Sequence, residues 1–447
     1  MTVHSRTRTV SDLAPADALA AAERLRSAGR RVPLSLALRA VADREAGPVP
    51  ATEAQRAVWI AQRLDPDAPI FNECGVVELG HRPDPAVFAR AVGRVVDRHD
   101  VLRTRFHLVD GVVVQTVEAE GCVDLEVVDL TSDDRPERRA AELETRLAEH
   151  VFDLAGGPLM RVVLVLTSSG HDRLVVALHH TISDGWSLHL LAQEIAAEHR
   201  RVVQDEPPLP RPTHQLTDVA AAEVLVRSGP DRGDDVTWWR EALAGYEPVV
   251  FPAPAVPPRG AATAASSAAT LVPAPLAEAA RAFAREQGTT MAAVLLTTAR
   301  IALGASLDRD DLCLASPVLG RSSSETQAMI GCFTDLVALR VPLDPMVTTA
   351  EQVRREAEAL GAALSHRACS SADVIASTTS TTVDGAAPFE VTVTIHDAPP
   401  VQLDLAGSVG RVRELPARHV HQSLQVHCHP EVGGGVRLSV VFRSGVV

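Results

Sequence analysis

The segment Leu174-Val-Val-Ala-Leu-His179-His180-Thr-Ile-Ser-Asp184-Gly185-Trp186-Ser187 constrains this chain more than any other. An apolar, β-branched run predicts a strand, and it stops at two histidines before turning through Asp-Gly into a helix. The end of such a strand presents its last side chain to a crevice. Successive strand side chains point to opposite faces, so His179 and His180 diverge: one works in the crevice and the other is buried or structural. Histidine's unperturbed pKa lies nearest neutral pH, which suits it to take a proton from an attacking amine, hydroxyl or thiol and pass it on. Asp184 is placed to order the loop by pairing with an arginine, and Gly185 lets substrate approach the backbone.

Composition narrows the chemistry around this motif. All 43 basic residues are arginine, which excludes Schiff-base enzymes, P-loop nucleotidases and adenylating enzymes that depend on a lysine. A formal charge of -14 and no basic cluster interleaved with aromatics argue against nucleic acid as a partner. Six cysteines at 74, 122, 313, 332, 369 and 428 are too scattered for metal ribbons and read as reduced core residues. The N-terminus lacks an apolar signal region and no stretch has 18 consecutive apolar residues, so the expectation is a soluble cytoplasmic protein with no membrane partner.

Hydrophobic periodicity predicts a mixed α/β chain. Residues 12–46 read as a short helical leader, with Leu19, Ala22 and Leu25 on one face and Leu34, Leu38 and Val41 further on. A helix from 84, strands at Val112–Val117 and Leu125–Leu130, a helix at 136–150, apolar runs Arg161–Leu166 and Leu174–Leu178, and a helix at 187–204 follow. Proline-rich stretches at 206–213 and 251–259, the latter with an Ala/Ser tail to 268, punctuate the chain where the interdomain crossing is expected. Beyond them come a helix at 276–303, strand 312–316, helix 324–331, strand 334–341, helix 349–365, strand 389–396 and a terminal pair of strands near 419–429 and 436–443.

His-His-x-x-x-Asp-Gly-Trp-Ser resembles the signature of condensation domains of nonribosomal peptide synthetases, in the chloramphenicol-acetyltransferase-like superfamily. Ala51-Thr-Glu-Ala-Gln55-Arg56-Ala-Val-Trp59, Arg98-His99-Asp-Val-Leu102-Arg103-Thr104-Arg-Phe106 and Phe152-Asp-Leu-Ala-Gly-Gly157-Pro158-Leu159 are similar to other family stretches, in the family's order. So are Trp238-Trp239-Arg240-Glu-Ala-Leu243, Pro317-Val-Leu-Gly320-Arg321 and Ile330-Gly331-Cys-Phe333. The resemblance covers about 50 to 445. It implies an α/β (α+β) fold of two chloramphenicol-acetyltransferase-like subdomains in a V-shaped pseudodimer with a central tunnel: a leader at 1–47, then 48–230 carrying the motif, then 231–447. It implies a condensation enzyme that joins a carrier-bound acyl or aminoacyl thioester to an amine or hydroxyl acceptor, and because no adenylation motif or carrier serine motif is visible the expectation is a free-standing one. The partners implied are a donor carrier protein and either an acceptor carrier or a free small molecule. The enzyme would have no cofactor of its own, the phosphopantetheine arms belonging to the carriers. By the same resemblance His180 helps the nucleophile attack, as base or as charge stabiliser, and Gly185 offers its N–H to the oxyanion. His179 and Asp184 are structural, Arg103 is the ion-pair partner of Asp184, and Trp186, Ser187 and Asp335 line the tunnel. Asp335 stands where the family often has Asn, and the family's Gln-Asp-Tyr-Pro-Phe-Glu motif is not recognisable after His366, although Pro388-Phe389 resembles the entry to the next strand. The chain stops at Val447, where the family usually has a closing helix. The competing readings are an acyl-CoA-dependent acyltransferase of the superfamily and a noncatalytic recruiting domain.

One other constellation competes for chemistry. His419, His421, His427 and His429 alternate with mostly apolar residues, which places all four on one face of a strand. Histidines two apart can chelate zinc or copper, yet the ends of that strand lie about 20 Å apart. The preferred reading is a polar strand face lining the tunnel or solvent, and no metal.

Overall fold

The computed structural model describes residues 10, 13–42, 47–121, 123, 125–227, 231–249, 251, 263–321, 323–378, 389–396, 402–405, 409–420 and 422–443. Residues 1–9, 11–12 and 43–46 of the leader, Cys122, His421, Pro388, residues 252–259 of the second proline-rich stretch and the chain end at Val447 lie outside these.

The first half runs α1 (Pro15–Ser27), α2 (Leu34–Ala40), β1 (Val49–Pro50), α3 (Glu53–Leu64), β2 (Asn72–Glu78), α4 (Pro85–Arg98), β3 (Thr104–Val109), β4 (Val112–Val117), β5 (Leu125–Leu130), α5 (Pro136–Ala148), β6 (Met160–Thr167), β7 (Arg173–His179), α6 (Gly185–Val203) and α7 (Leu216–Arg227). The second half runs α8 (Asp231–Ala242), β8 (Thr263–Val272), α9 (Ala274–Glu286), α10 (Met291–Leu307), β9 (Cys313–Leu319), α11 (Ser324–Gln327), β10 (Thr334–Arg340), α12 (Thr349–Ser365), α13 (Ser371–Thr378), β11 (Val391–Ile395), β12 (Gln402–Asp404), β13 (Val409–Glu414), β14 (His419–Val420), β15 (Leu424–Pro430) and β16 (Val436–Arg443).

A six-stranded sheet, in the order β12-β13-β2-β7-β6-β5, centres the first half, and a seven-stranded sheet, β10-β9-β11-β15-β16-β8-β14, the second. Almost every residue of β6 and β7 is buried, as in a sheet covered on both faces, so the run that ends at His179 is a central strand. Residues 402–414 belong to the second half by sequence but pair β13 antiparallel with β2, Arg411 against Glu78 and Glu414 against Gly75. That exchange ties the second half of the chain to the first half's sheet through backbone hydrogen bonds. The leader is also stitched in: Ala18, Ala22, Leu36, Ala37 and Leu38 join the first half's core, while Leu19 is 37% exposed, so the buried stripe of α1 starts one residue earlier than the periodicity predicts.

Four other expectations change. The helix expected over 276–303 is two helices bent by 109°, because Gly288 takes φ +63° after α9 and Thr290 caps α10 anew, its hydroxyl accepting from the Ala293 N–H. The Ala/Ser tail expected in a linker is β8, laddered along its length to β16. The strand expected over 419–429 is broken: β14 pairs with β8 while β15 pairs with β11 and β16, so the histidines of that run do not share one continuous strand face. The helix expected over 324–331 is the single turn α11, after which Gly331-Cys332-Phe333 runs as irregular backbone. Cys74, Cys313, Cys332, Cys369 and Cys428 are buried free thiols. Among the described residues no single helix is long and apolar enough to cross a membrane.

Candidate active site

The two histidines diverge at the end of β7 as the strand period requires. His179 is 1% exposed, against the edges of the Phe71 and Phe152 rings. Its Nδ1 accepts from the Thr181 N–H at 3.2 Å, so Nε2 carries the proton and donates to the Gln62 carboxamide oxygen at 3.2 Å. Gln62 is held in turn by the Asp65 and Ala68 carbonyls. Burial pushes the His179 pKa down to about 3, so this ring is a neutral structural pin. Gln55, locked in a capping box with Thr52, donates to the Thr181 carbonyl at 3.1 Å. The stretch from Ala51 to Trp59 therefore serves the turn after the strand by fixing its backbone.

His180 points the other way and its side chain is 25% exposed. Its Nδ1 lies 2.6 Å from the Ser183 carbonyl, which can only accept, so Nδ1 carries a proton and Nε2 holds the lone pair of the neutral ring. Glu73 of β2 lies 3.7 Å from the same nitrogen and the Cys332 sulfur 4.0 Å from it. Burial favours the neutral ring, but the Glu73 carboxylate, the Cys332 side chain and the Ser183 carbonyl outweigh it, and the pKa stands well above the ordinary histidine value. Burial raises the Glu73 pKa against the pull of His180, and Glu73 Oε2 has no hydrogen-bond partner among the described residues. Burial also raises the Cys332 pKa, which keeps it a thiol.

Asp184 is fully buried and caps α6. Its Oδ1 accepts from the Ser187 N–H at 2.8 Å, the Ser187 hydroxyl at 2.7 Å and Arg321 Nη2 at 2.8 Å, and Oδ2 accepts from the Phe333 N–H at 3.2 Å. Arg321 Nη1 donates to the Thr326 and Met329 carbonyls, both at 2.6 Å, and its guanidinium lies 4.2 Å over the Phe333 ring. The partner expected for Asp184 is therefore wrong: Arg103 donates to Asp100 Oδ1 at 2.6 Å and to the Val96, Ala119 and Glu118 carbonyls. Its donors are spent joining the end of α4 to the segment after β4, and it holds the first half's fold. Ser187 is likewise no lining residue. It is fully buried, with its hydroxyl between Asp184, Arg321 and the Gly331 backbone.

Trp186 is 40% exposed and its indole N–H donates to the Gln327 carbonyl at 2.9 Å. Asp335 lies beside a small cavity lined by Trp239, His366, Arg367 and Cys369, with Oδ1 accepting from the Leu336 N–H at 2.9 Å. A Cβ at Gly185 would meet nothing within 4 Å, so the open space beside it, and no clash with the fold, is what the glycine provides. Sequence reasoning missed Arg321 and Glu73. Arg321 stands in one of the family-like stretches, which carried no role by itself, and the only signal for Glu73 was an acidic residue at the mouth of the short apolar run Cys74–Val77.

A family model described as Condensation domain matches residues 45–396. Phosphinothricin tripeptide synthetase PhsB of Streptomyces viridochromogenes is 32% identical over 314 residues, 68% of this chain and 26% of that protein. Chondramide synthase cmdD of Chondromyces crocatus is 30% identical over 301 residues, 66% of this chain and 8% of that protein. The chain thus spans a small part of the length of these relatives. Among solved structures, the first condensation domain of the calcium-dependent antibiotic synthetase, in complex with a substrate analogue, superposes with a TM-score of 0.76 at 21% identity, covering 89% of this chain and 91% of that one. The starter condensation domain of rhizomide synthetase RzmA, in complex with C8-CoA, gives 0.77 at 19% identity, covering 89% of each. SgcC5 of Streptomyces globisporus, in complex with an aryl-1,2-ethanediol, gives 0.72 at 21%, covering 88% and 93%. These likenesses fix the fold as the chloramphenicol-acetyltransferase-like pair of the condensation domains.

Proposed function

This chain belongs to the condensation-domain family, and from that premise we propose that it joins an acyl or aminoacyl thioester to the amine or hydroxyl of an acceptor in nonribosomal peptide or related assembly. The donor rides on the phosphopantetheine arm of a carrier protein, in the cytoplasm. The acceptor is carrier-bound or free. Residues 48–230 and 231–447 act as the two subdomains behind the leader 1–47, with the Asp184–Arg321 contact at their junction.

The observation that carries this reading is the fixed orientation of His180, whose Nδ1 is committed to Ser183 and Glu73, so that Nε2 is the nitrogen that exchanges a proton. The raised pKa makes the imidazolium the resting form, and the fraction deprotonated at Nε2 takes the proton as the acceptor atom attacks the thioester carbonyl. Glu73 stabilises the imidazolium that forms, as a carboxylate does behind a catalytic histidine. The C–S bond then breaks and the departing thiolate takes the proton back. The Gly185 N–H belongs to the first turn of α6, where N–H groups lack intrahelical acceptors, and it serves the oxyanion. His179, Asp184 and Arg321 hold this geometry and touch no reacting atom. A coenzyme A thioester as donor is the second reading, favoured by the C8-CoA complex of a starter condensation domain. The complex of SgcC5 with a diol keeps hydroxyl acceptors within the proposal.

The test incubates the protein with loaded carriers or acyl-CoA and a panel of amines and alcohols, with products read by mass spectrometry. His180→Ala is expected to lose product by about 100-fold or more while staying folded. Equal product from wild type and variant with every pair would leave only a recruiting role.

A further inference from the structure

A second group of histidines stands outside this machinery. His427 and His429 lie two residues apart on one face of β15, and His396 directly follows β11. Parallel pairing sets Ile395 against Cys428, and the His396 N–H donates to the Cys428 carbonyl at 2.9 Å, so His396 sits between the other two. One ring nitrogen from each of the three lies within 4.8 Å of the others. The His396 and His429 rings stack at 3.8 Å, and His427 lies 6.0 Å from each.

A polar wall facing substrate would pair its histidines with acceptors, and His396 is left without one. The buried Nε2 of His396 has no hydrogen-bond partner, and no carboxylate lies within ion-pair distance of any of the three, both among the described residues. His427 Nε2 also lies 3.4 Å from the Gln425 carboxamide oxygen, the kind of outer partner that fixes the tautomer of a ligating ring.

We propose that His396, His427 and His429 bind one divalent transition cation of the zinc class, leaving at least one coordination position for water or a donor atom of a bound molecule. Imidazole ligands select zinc, nickel or copper over magnesium and calcium. Ring nitrogens around a tetrahedral zinc stand about 3.4 Å apart, and rotation of the three side chains closes that gap. His189 and Glu414, whose side chains approach to 3.8 Å, both act electrostatically on His429, and Glu414 acts on Glu73 as well. The occupancy of the cluster is independent of whether the His180 centre performs condensation.

The full chain, stripped with chelator and dialysed against limiting Zn²⁺, is expected to retain about one equivalent by atomic emission. His396→Gln and His427→Gln are each expected to weaken binding at least 10-fold with unchanged far-UV circular dichroism, while His180→Gln and His419→Gln retain it. X-ray absorption of the zinc-loaded wild type, which needs no variant to fold, is expected to show three imidazoles at about 2.0 Å. No retained zinc, sulfur scattering at about 2.3 Å, or stoichiometric binding that survives both cluster substitutions would each overturn the proposal.

Discussion

Replacing Arg321 with methionine tests how the catalytic loop is held. With 2.8 Å between Arg321 Nη2 and Asp184 Oδ1, the gross attraction is about 6 kcal/mol at an effective dielectric constant of 20. Taking both charges out of water costs several kcal/mol each, so the pair as a whole adds little stability over an apolar substitute. The Arg321→Met variant does not make that symmetrical replacement. It leaves the Asp184 carboxyl group fully buried without its cation and strips the Thr326 and Met329 carbonyls of their shared donor. Breaking such a pair from one side costs about 3–5 kcal/mol. The Ser187 N–H, Ser187 hydroxyl and Phe333 N–H still serve Asp184, which places the expected loss at the lower end, about 3 kcal/mol. Urea unfolding followed by far-UV circular dichroism and tryptophan fluorescence measures it, with Trp186 reporting from beside the site. A double-mutant cycle with Asp184→Asn is expected to give a coupling of about 2 kcal/mol, since the second change removes the stranded carboxyl group. Arg103→Met should destabilise the first half yet show no coupling to Asp184→Asn. A coupling below about 0.5 kcal/mol for Arg321, or the larger coupling at Arg103, would refute the assignment of the loop's anchor.

Glu73→Gln removes the carboxylate that holds the His180 pKa up, so the limb of the kcat/KM profile that reports His180 should move to lower pH and the plateau rate should fall. An unmoved limb takes Glu73 out of the mechanism. Gly185→Ala should fold like wild type, because its Cβ meets nothing within 4 Å, yet lose activity where the substrate carbonyl must approach; full activity would place the oxyanion elsewhere. His179 titrates at about 3 in the folded protein and near 6.5 when unfolded, so the unfolded chain takes a proton the folded one refuses. Stability should therefore fall as pH drops from about 6.5 toward 3, and His179→Gln should flatten that slope in acid-unfolding curves. Arg300→Met strands the buried Glu356 carboxylate that joins α10 to α12, and should cost about 3–5 kcal/mol without moving the His180 pH profile.

Much of the site is legible in the order of residues. Periodicity places β4, β5 and α12 at their observed ends, because a strand or helix with one buried side must repeat its apolar residues at 2.0 or 3.6. The divergence of His179 from His180 follows from the same geometry. Gln62 shows where that reading stops: nothing in the spacing of α3 and β7 reveals that its carboxamide meets a ring 117 residues away. The break at Gly288 and the pairing of the Ala/Ser run as β8 escape for a related reason, since tertiary ladder bonds and a cap outweigh weak local preference.

Local sequence is enough to set the β7 strand, to turn one histidine outward from its end, to put an aspartate at the start of the next helix, and to exclude lysine chemistry. Folding was needed to select which of 43 arginines meets Asp184, to stand Glu73 behind His180, and to bring His396 to the histidines of β15. The physical reason is one of range. Periodicity and caps are set by residues within a turn or two, whereas a buried charge finds its partner through contacts between elements far apart in the chain, and many arginines are equivalent until the fold brings one of them within hydrogen-bonding distance.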